Sequence, residues 1–393
     1  MTGDGDFSLA GVLAEARRET GLSEFGDDGF REGLGVLLET YERTARFDAR
    51  GRADHRRRVV TLLCARLRVV DALNRHPEVR GRAIRSPVFV TGLPRTGTSA
   101  LFQLLAADPA ARPLLTWEAI HPYPLEDLRP GDPDPRREAA GSLWIDAGFE
   151  KIHHVGPDLP EECVLLLSQD FCDPQMGIEV LMEPYASWFQ AQDLRRSYAY
   201  YADLLRLLDW QRPGERWLLK SPVHLWALDV VLEAFPDACI VLNHREPLEC
   251  VASYCSMIAF LMRDRASFEP AALGPEVLEY LARSLERALA AREQADPRRF
   301  VDVDYRDLLE DPLAEVECIY RRFGLPLGSA AREAMLRHLR ENPKDKHGAH
   351  AYRLEDYGLT PERVRARLAA YLERFGLERG GGGARAARAP GGA

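Results

Sequence analysis

The sequence predicts an α/β protein in which a parallel β-sheet is flanked by helices and preceded by an N-terminal helical cap. Short apolar runs alternate with longer segments whose apolar residues recur at helical spacing, which is typical of parallel strands covered on both faces. We expect a helical extension over residues 1–84, a main domain over 85–378, and a disordered tail rich in Gly, Ala and Arg over 379–393.

The expected elements follow one another along the chain without an internal repeat. Each strand is a short apolar run, and a proline in a first helical turn, as at Pro247, marks a helix start. Strands are expected at 88–90, 112–116, 216–220, 238–243 and 300–303. Helices are expected at 9–18, twice within 31–76, at 99–105, over much of 138–209, and at 223–235, 247–262 and 275–294. Two further helices are expected between the strand at 300–303 and about residue 341, and a last one at 360–375.

Composition narrows the classes of function. The net charge of −9 argues against a general nucleic-acid binder, and no apolar stretch approaches the length of a membrane span. The N-terminus lacks the apolar segment of a secretory signal, and the seven cysteines include no Cys-x-x-Cys pair. We therefore expect a cytoplasmic protein with reduced thiols. His153 and His154 are adjacent and would point apart, so no metal site is expected.

Residues 88–105 predict a strand, a Gly-rich turn and a helix that together form an anion cradle. Gly92 and Gly97 allow the backbone to curl so that N–H groups point inward, and the helix N-terminus adds its partial positive charge. Arg95 supplies a fixed positive charge at the loop tip. Further donors are expected from the hydroxyls of Thr96, Thr98 and Ser99.

The spacing of the cradle, Gly-x-x-x-x-Gly, is that of a P-loop, but the residues after it differ. A nucleotide triphosphatase needs Lys and then Ser or Thr at this point, for the β- and γ-phosphates and the magnesium ion. Here the pair is Thr98 and Ser99, and the cation lies earlier, at Arg95. This loop suits an anion with fewer phosphates and no metal.

A second anion site is indicated downstream. Arg245 lies just past a predicted strand end, where α/β sheets bind ligands, and Ser253 lies about two helical turns further on. A guanidinium and a hydroxyl in these positions can share one phosphate.

The cradle and the Arg245–Ser253 pair resemble the 5′-phosphosulfate loop and the 3′-phosphate site of sulfotransferases that use 3′-phosphoadenosine 5′-phosphosulfate (PAPS). Four further stretches are similar to the large bacterial branch of that family, so that the resemblance spans about residues 85–375. They are Leu218-Leu219-Lys220-Ser221-Pro222-Val223-His224-Leu225, Pro160-Glu161-Glu162-Cys163, Asp304-Tyr305-Arg306-Asp307-Leu308 and Lys346-His347-Gly348-Ala349-His350-Ala351-Tyr352.

The resemblance implies a P-loop-like sulfotransferase fold with PAPS as donor, no metal, and a small-molecule acceptor. Arg95 stands where the cytosolic enzymes carry Lys, and the Arg-Lys-Gly-x-x-Gly cofactor loop of those enzymes is absent as such. Lys346 and His347, close to Lys344, either take its place as cofactor contacts or belong to a solvated basic loop. Lys220 is placed to reach the sulfuryl oxygens.

The function expected from the resemblance is in-line transfer of the sulfuryl group to a hydroxyl, or an amine, of a small organic acceptor. Arg95 and the loop N–H groups would stabilise the developing charge. The alternatives are a P-loop-like kinase or nucleotide hydrolase and a non-catalytic nucleotide-binding protein of the same fold. The sequence leaves the oligomeric state open.

The general base is expected to be Glu118, which follows the second predicted strand at the carboxyl edge of the sheet. Its neighbours Trp117 and Ile120 would make the surroundings partly apolar and raise the carboxyl pKa. His121 is the alternative base, because histidine titrates near neutrality. His153 and His154 also lie near the expected site, and Glu162 is interpreted as structural.

Overall fold

The computed structural model describes residues 7–126, 128, 132–143, 156–173, 181–262, 269–342 and 353–377. Within these ranges five strands form one sheet in the order β2-β3-β1-β4-β5, and every pairing is parallel. The strands are β1 (Val88–Gly92), β2 (Ala111–Pro113), β3 (Arg216–Lys220), β4 (Cys239–His244) and β5 (Phe300–Asp304). The predicted parallel sheet is confirmed.

Seventeen α-helices and several short 3₁₀ segments surround the sheet in the described ranges. The helices are α1 (Leu9–Thr20), α2 (Phe30–Arg43), α3 (Ala49–Arg75), α4 (Thr98–Ala106), α5 (Thr116–Ile120), α6 (Pro135–Leu143), α7 (Val164–Leu167), α8 (Tyr185–Gln190), α9 (Arg195–Gln211), α10 (Leu228–Ala234), α11 (Pro247–Met262), α12 (Pro270–Glu293), α13 (Tyr305–Glu310), α14 (Pro312–Arg322), α15 (Ser329–Glu341), α16 (Pro361–Arg367) and α17 (Ala369–Phe375). The 3₁₀ segments are Pro77–Gly81, Ser168–Asp170, Pro222–Ala227, Pro297–Arg299 and Leu354–Tyr357.

Strand β1 is buried on both faces because its side chains alternate between two hydrophobic cores. Val88 and Val90 pack in one core with Leu101 of α4 and Met335 of α15. Phe89 points into the other core, where its ring centroid lies 5.5 Å from that of Phe235. Burial on both faces is what a continuous apolar run in a central parallel strand requires.

Helices α1 to α3 form the N-terminal cap and share the larger core with the main domain. Leu63 of α3 belongs to the same buried cluster as Leu204 of α9. The buried guanidinium of Arg66 reaches across to Asp170, with 3.2 Å between Nη1 and Oδ1. The domain division at residue 84 stays a prediction.

The predicted helices differ from the structure mainly in where they are interrupted. The helix expected at 223–235 begins as a 3₁₀ segment at Pro222 and becomes α10 only at Leu228. The helix expected at 360–375 divides into α16 and α17 at Leu368. Between β5 and residue 341 the structure has three helices instead of the expected two. The Asp311 carboxylate accepts a hydrogen bond from the N–H of Ala314 and so starts an additional helix.

The described helices include none that is long and apolar enough to cross a membrane. The tail predicted over 379–393 lies outside the described residues.

Candidate anion-binding active site

The loop between β1 and α4 is held in conformations that favour glycine. Gly92 has φ 151° and Gly97 has φ 85°. A Cβ atom on Gly92 would lie 2.5 Å from the carbonyl oxygen of Asn243 in β4, so only glycine fits there. Arg95, at the exposed tip, has φ 71°, which is strained for a residue with a side chain.

Helix α4 begins directly after this loop, and its first backbone N–H groups have no hydrogen-bond partner among the described residues. The first intrahelical N–H bond runs from Leu101 to the carbonyl of Gly97, and no side chain in the described structure caps the helix. The N–H groups of Thr98 and Ser99 therefore remain for a ligand, and the helix dipole favours an anion at this position.

The three hydroxyls predicted to line the cradle differ in their surroundings. Thr96 is fully buried and its Oγ1 donates to the carbonyl of Leu93 at 2.7 Å, so that its hydroxyl is used inside the loop; its contact with a ligand stays a prediction. Thr98 is buried at the first helical position, whereas Ser99 is exposed. The Ser99 hydroxyl accepts a hydrogen bond from Lys220 Nζ at 3.1 Å.

Arg95, Ser253 and Arg245 form one connected group. The Arg95 Nε donates to Ser253 Oγ at 3.1 Å, and Arg245 Nη1 donates to the carbonyl oxygen of Arg95 at 2.9 Å. These two hydrogen bonds hold the strained Arg95 from both sides. Arg245 also pairs with the exposed carboxylate of Glu249. The two anion sites expected from the sequence are therefore adjacent.

Lys220, at the end of β3, lies on the other side of the loop. Its Nζ, almost fully buried, lies 2.5 Å from Glu162 Oε1 and 3.1 Å from Ser99 Oγ. The second oxygen of Glu162 accepts a hydrogen bond from the Ser221 hydroxyl at 3.1 Å. Lys220 thus bridges the Glu162 carboxylate to the first turn of α4.

Glu162, which the sequence analysis interprets as structural, has its carboxylate joined to the loop through Lys220. The chain around it is pinned to the carboxyl edge of the sheet, because the N–H of Glu161 donates to Leu114 and the N–H of Cys163 donates to Lys220, at 2.8 and 3.0 Å. The signal in the sequence was the run Pro160-Glu161-Glu162-Cys163 between a loop and a helix.

The carboxylate of Glu118 is enclosed in a buried ion-pair cluster instead of facing the loop. Its oxygens lie 2.7 and 2.9 Å from the guanidinium of Arg112 and 2.9 and 3.1 Å from that of Arg212. Burial alone would raise the pKa of Glu118, but the two guanidinium groups together outweigh it and lower that pKa. The predicted raised pKa is wrong. In addition, β3 lies between β2, which precedes Glu118, and β1.

The described contacts of His121 are with residues outside the loop between β1 and α4. Its Nδ1 lies 3.1 Å from the hydroxyl of Tyr123, and its Nε2 is buried without a hydrogen-bond partner among the described residues. Burial, together with the nearby guanidinium groups of Arg68 and Arg136, lowers the pKa of His121 to about 4. The ring is therefore neutral at physiological pH, and no described contact joins it to the anion site.

Four predicted residues, Lys346, His347, His153 and His154, lie outside the described residues. Across the part of the chain that the structure describes, no group of three or more His, Cys, Asp or Glu side chains is arranged to hold a metal ion.

Comparison with known proteins agrees with this geometry. A sequence model of the sulfotransferase family matches residues 87–329. The chain is also 25% identical over 305 residues to the omega-hydroxy-beta-dihydromenaquinone-9 sulfotransferase Stf3 of Mycobacterium bovis and of Mycobacterium tuberculosis, an alignment that covers 75% of this chain and 76% of each relative.

Two solved structures match over nearly the whole chain. The sulfotransferase STF1 of Mycobacterium tuberculosis H37Rv is 36% identical, with a TM-score of 0.79, covering 93% of this chain and 100% of that one. The sulfotransferase STF9 of Mycobacterium avium is 30% identical, with a TM-score of 0.87, covering 97% of this chain and 100% of that one.

Proposed function

The chain belongs to the sulfotransferase family, in its bacterial branch, and we propose that it transfers the sulfuryl group of PAPS to a hydroxyl, or an amine, of a small organic acceptor. The observation that carries the proposal is the hydrogen-bonded group Arg95–Ser253–Arg245. It places two guanidinium groups beside one Gly-rich loop, as a donor with a 5′-phosphosulfate and a separate 3′-phosphate requires.

The residues present fit such a donor. The free N–H groups at the start of α4 and the exposed Arg95 suit the 5′-phosphosulfate, while Arg245 and Ser253 suit the 3′-phosphate. Thr98 stands where a triphosphatase has its Lys. Among the described residues, β3 contributes one cation beside the first turn of α4, Lys220, and this cation is already paired with Glu162. This supports a donor without a metal ion.

In the proposed mechanism the donor supplies an activated sulfuryl group, and the protein positions it and stabilises charge. Arg95 and the N–H groups of the loop hold the phosphate oxygens on which negative charge builds up. Lys220 and the hydroxyl of Ser99 lie on the opposite side of the loop, where they can orient the sulfuryl oxygens. The acceptor hydroxyl or amine would attack the sulfur in line with the bridging phosphate oxygen, and the bond from sulfur to that oxygen would break to release adenosine 3′,5′-bisphosphate.

We propose Glu162 as the general base, in place of Glu118 and His121. Its carboxylate is half-buried and contacts Lys220, which itself contacts the loop, so that it can take the proton of an acceptor hydroxyl held there. The carboxylate of Glu118, in contrast, is enclosed by Arg112 and Arg212.

The reaction is proposed to take place in the cytoplasm. All seven cysteines lie in the described structure and none is in a disulfide, as is usual for proteins of reducing compartments.

Incubation with PAPS and a panel of alcohols, phenols and amines tests the proposed function. We expect release of adenosine 3′,5′-bisphosphate (PAP) that depends on the acceptor and is unchanged by excess chelator. Phosphate transfer or release from ATP, lost in chelator and restored by magnesium, would instead indicate the kinase or hydrolase. Binding of PAP without turnover on any acceptor would favour the non-catalytic protein.

A further inference from the structure

Tyr305 belongs to the stretch Asp304-Tyr305-Arg306-Asp307-Leu308, for which neither the anion site nor the proposed mechanism has given a role. Strand β5 ends at Asp304, which is paired in register with His244 at the end of β4. Tyr305 and Arg245 are therefore the first residues beyond two adjacent parallel strands, at the carboxyl edge of the sheet. The register of β4 and β5 therefore brings these two residues close together.

The ring of Tyr305 contacts both parts of the anion site. The Cζ of Arg245 lies 4.1 Å from the ring centroid, which is within cation–π distance. The edge of the same ring packs against Gly97, because a Cβ built there would lie only 2.7 Å from Cδ2 of Tyr305. The ring is therefore fixed between the guanidinium and the second glycine of the loop.

The backbone of Tyr305 is also fixed. The carboxylate of Asp304 accepts a hydrogen bond from the N–H of Arg306 at 2.8 Å and pairs with the side chain of Arg306 at 2.6 Å. This cap starts α13 at Tyr305 and fixes the backbone position from which its side chain reaches Arg245.

We propose that Tyr305 is a positioning residue that holds the Arg245 guanidinium ready for the 3′-phosphate of the donor, an inference that rests on the proposed function. Among the described residues, two other groups hold Arg245: the carbonyl oxygen of Arg95, and Glu249, whose exposed carboxylate an incoming phosphate would replace. The ring attracts the guanidinium through its π face and uses none of its N–H donors. The donors of Arg245 that Arg95 does not occupy therefore remain for the phosphate.

Titration of the full-length protein with PAP and with adenosine 5′-monophosphate (AMP), which lacks the 3′-phosphate, tests this role in Tyr305→Phe and Tyr305→Leu. The Phe variant keeps the ring and should bind PAP within about two-fold of wild type. The Leu variant keeps an apolar side chain against Gly97 but loses the π face, and should bind PAP roughly 3- to 30-fold more weakly. Its AMP affinity should be unchanged, and in turnover its KM for PAPS should rise while kcat stays the same.

A double-mutant cycle with Arg245→Ala identifies the residue through which Tyr305 acts. In the Arg245→Ala background, Tyr305→Leu should cause no further loss of PAP affinity. Tyr305→Met, which also lacks a ring, is measured in parallel, and AMP binding verifies that each variant is folded at the loop.

Three results would overturn the inference. They are wild-type PAP affinity in both non-aromatic variants, an equal loss for AMP and PAP, and the same loss with and without Arg245. Absence of PAP binding to the wild-type protein would overturn the proposed function as well, so the two failures are distinguishable.

Discussion

Two glutamates at the carboxyl edge of the sheet have the same chemistry but different surroundings. Glu162 is half-buried, contacts one lysine and one serine, and is joined through Lys220 to the loop. Glu118 is almost fully buried between the guanidinium groups of Arg112 and Arg212, which keep it ionised. A base must reach the acceptor and accept a proton, and only the first environment allows both.

Glu162→Gln should therefore keep the fold and the affinity for PAP while lowering kcat by roughly 10²- to 10⁴-fold, the usual contribution of a general base. The amide keeps the shape of the side chain but cannot take the proton. Steady-state turnover with PAPS, alongside PAP titration, measures both effects. Turnover within a few-fold of wild type would exclude Glu162 as the base.

The matched control is Glu118→Gln, the same substitution a short distance along the sheet edge. It should leave kcat per folded molecule unchanged and lower the free energy of unfolding by about 3–5 kcal/mol, the cost of leaving a buried charge without its partner.

Because the pKa of Glu118 is lowered by folding, its stabilising contribution is present above the unfolded carboxyl pKa of about 4.3 and is lost as the pH falls further. Urea unfolding of both proteins should accordingly show a stability difference that shrinks below this pH; a difference independent of pH would argue against the ionised cluster.

The sequence could not distinguish these two glutamates because each has a partner that is distant in the chain. Arg212 lies 94 residues from Glu118, and Lys220 lies 58 residues from Glu162. The tertiary fold decides which cation reaches which carboxylate, and local apolar neighbours such as Trp117 gave the wrong sign for the pKa of Glu118.

At the scale of elements, the turn from β1 into α4 is the part of the site that local sequence determines most completely. The apolar run gives a strand buried on both faces, Gly92 lies against β4, and Gly97 starts α4 in the left-handed conformation. The positions of β1, β3, β4 and β5 were predictable for the same reason, because each contains a short apolar run. The second strand, expected at 112–116, is only Ala111–Pro113, and Thr116 already begins α5. The strand order was not predictable, since it depends on packing between distant segments.

Gly97→Ala tests the turn against a matched control, Gly324→Ala. Both glycines have positive φ, 85° and 64°, and alanine should cost about 1 kcal/mol of stability at either position through backbone strain. Only at Gly97 would the new Cβ also displace a ring, that of Tyr305, whereas Gly324 faces open space. We expect Gly97→Ala to weaken PAP binding by roughly 10- to 100-fold through the displaced loop, and Gly324→Ala to leave it unchanged. Equal affinities in the two variants, measured by calorimetry, would contradict this account of the turn.

At the scale of the whole molecule, strand order creates the site. Strands β2 and β3 lie on one side of β1, and β4 and β5 lie on the other. The chain leaves β1 toward β2 on one side and leaves β4 toward β5 on the other, so that a crevice opens between the carboxyl ends of β1 and β4, where ligands of open α/β sheets bind. Lys220 reaches this crevice from β3 and Arg245 from the end of β4, so that cations gather locally on a chain whose net charge is −9.

The central claim, that this crevice binds a nucleotide with separate 5′ and 3′ anions, is tested most directly by calorimetric titration with PAP and AMP, because it requires no knowledge of the acceptor. We predict that wild-type protein binds PAP more tightly than AMP, in the presence of excess chelator. Arg245→Ala should remove about 1.5–3 kcal/mol of the PAP binding free energy, the contribution of a hydrogen bond to a charged group, and leave AMP binding unchanged. Equal affinities for PAP and AMP in the wild-type protein, or an undiminished PAP affinity in Arg245→Ala, would contradict the account.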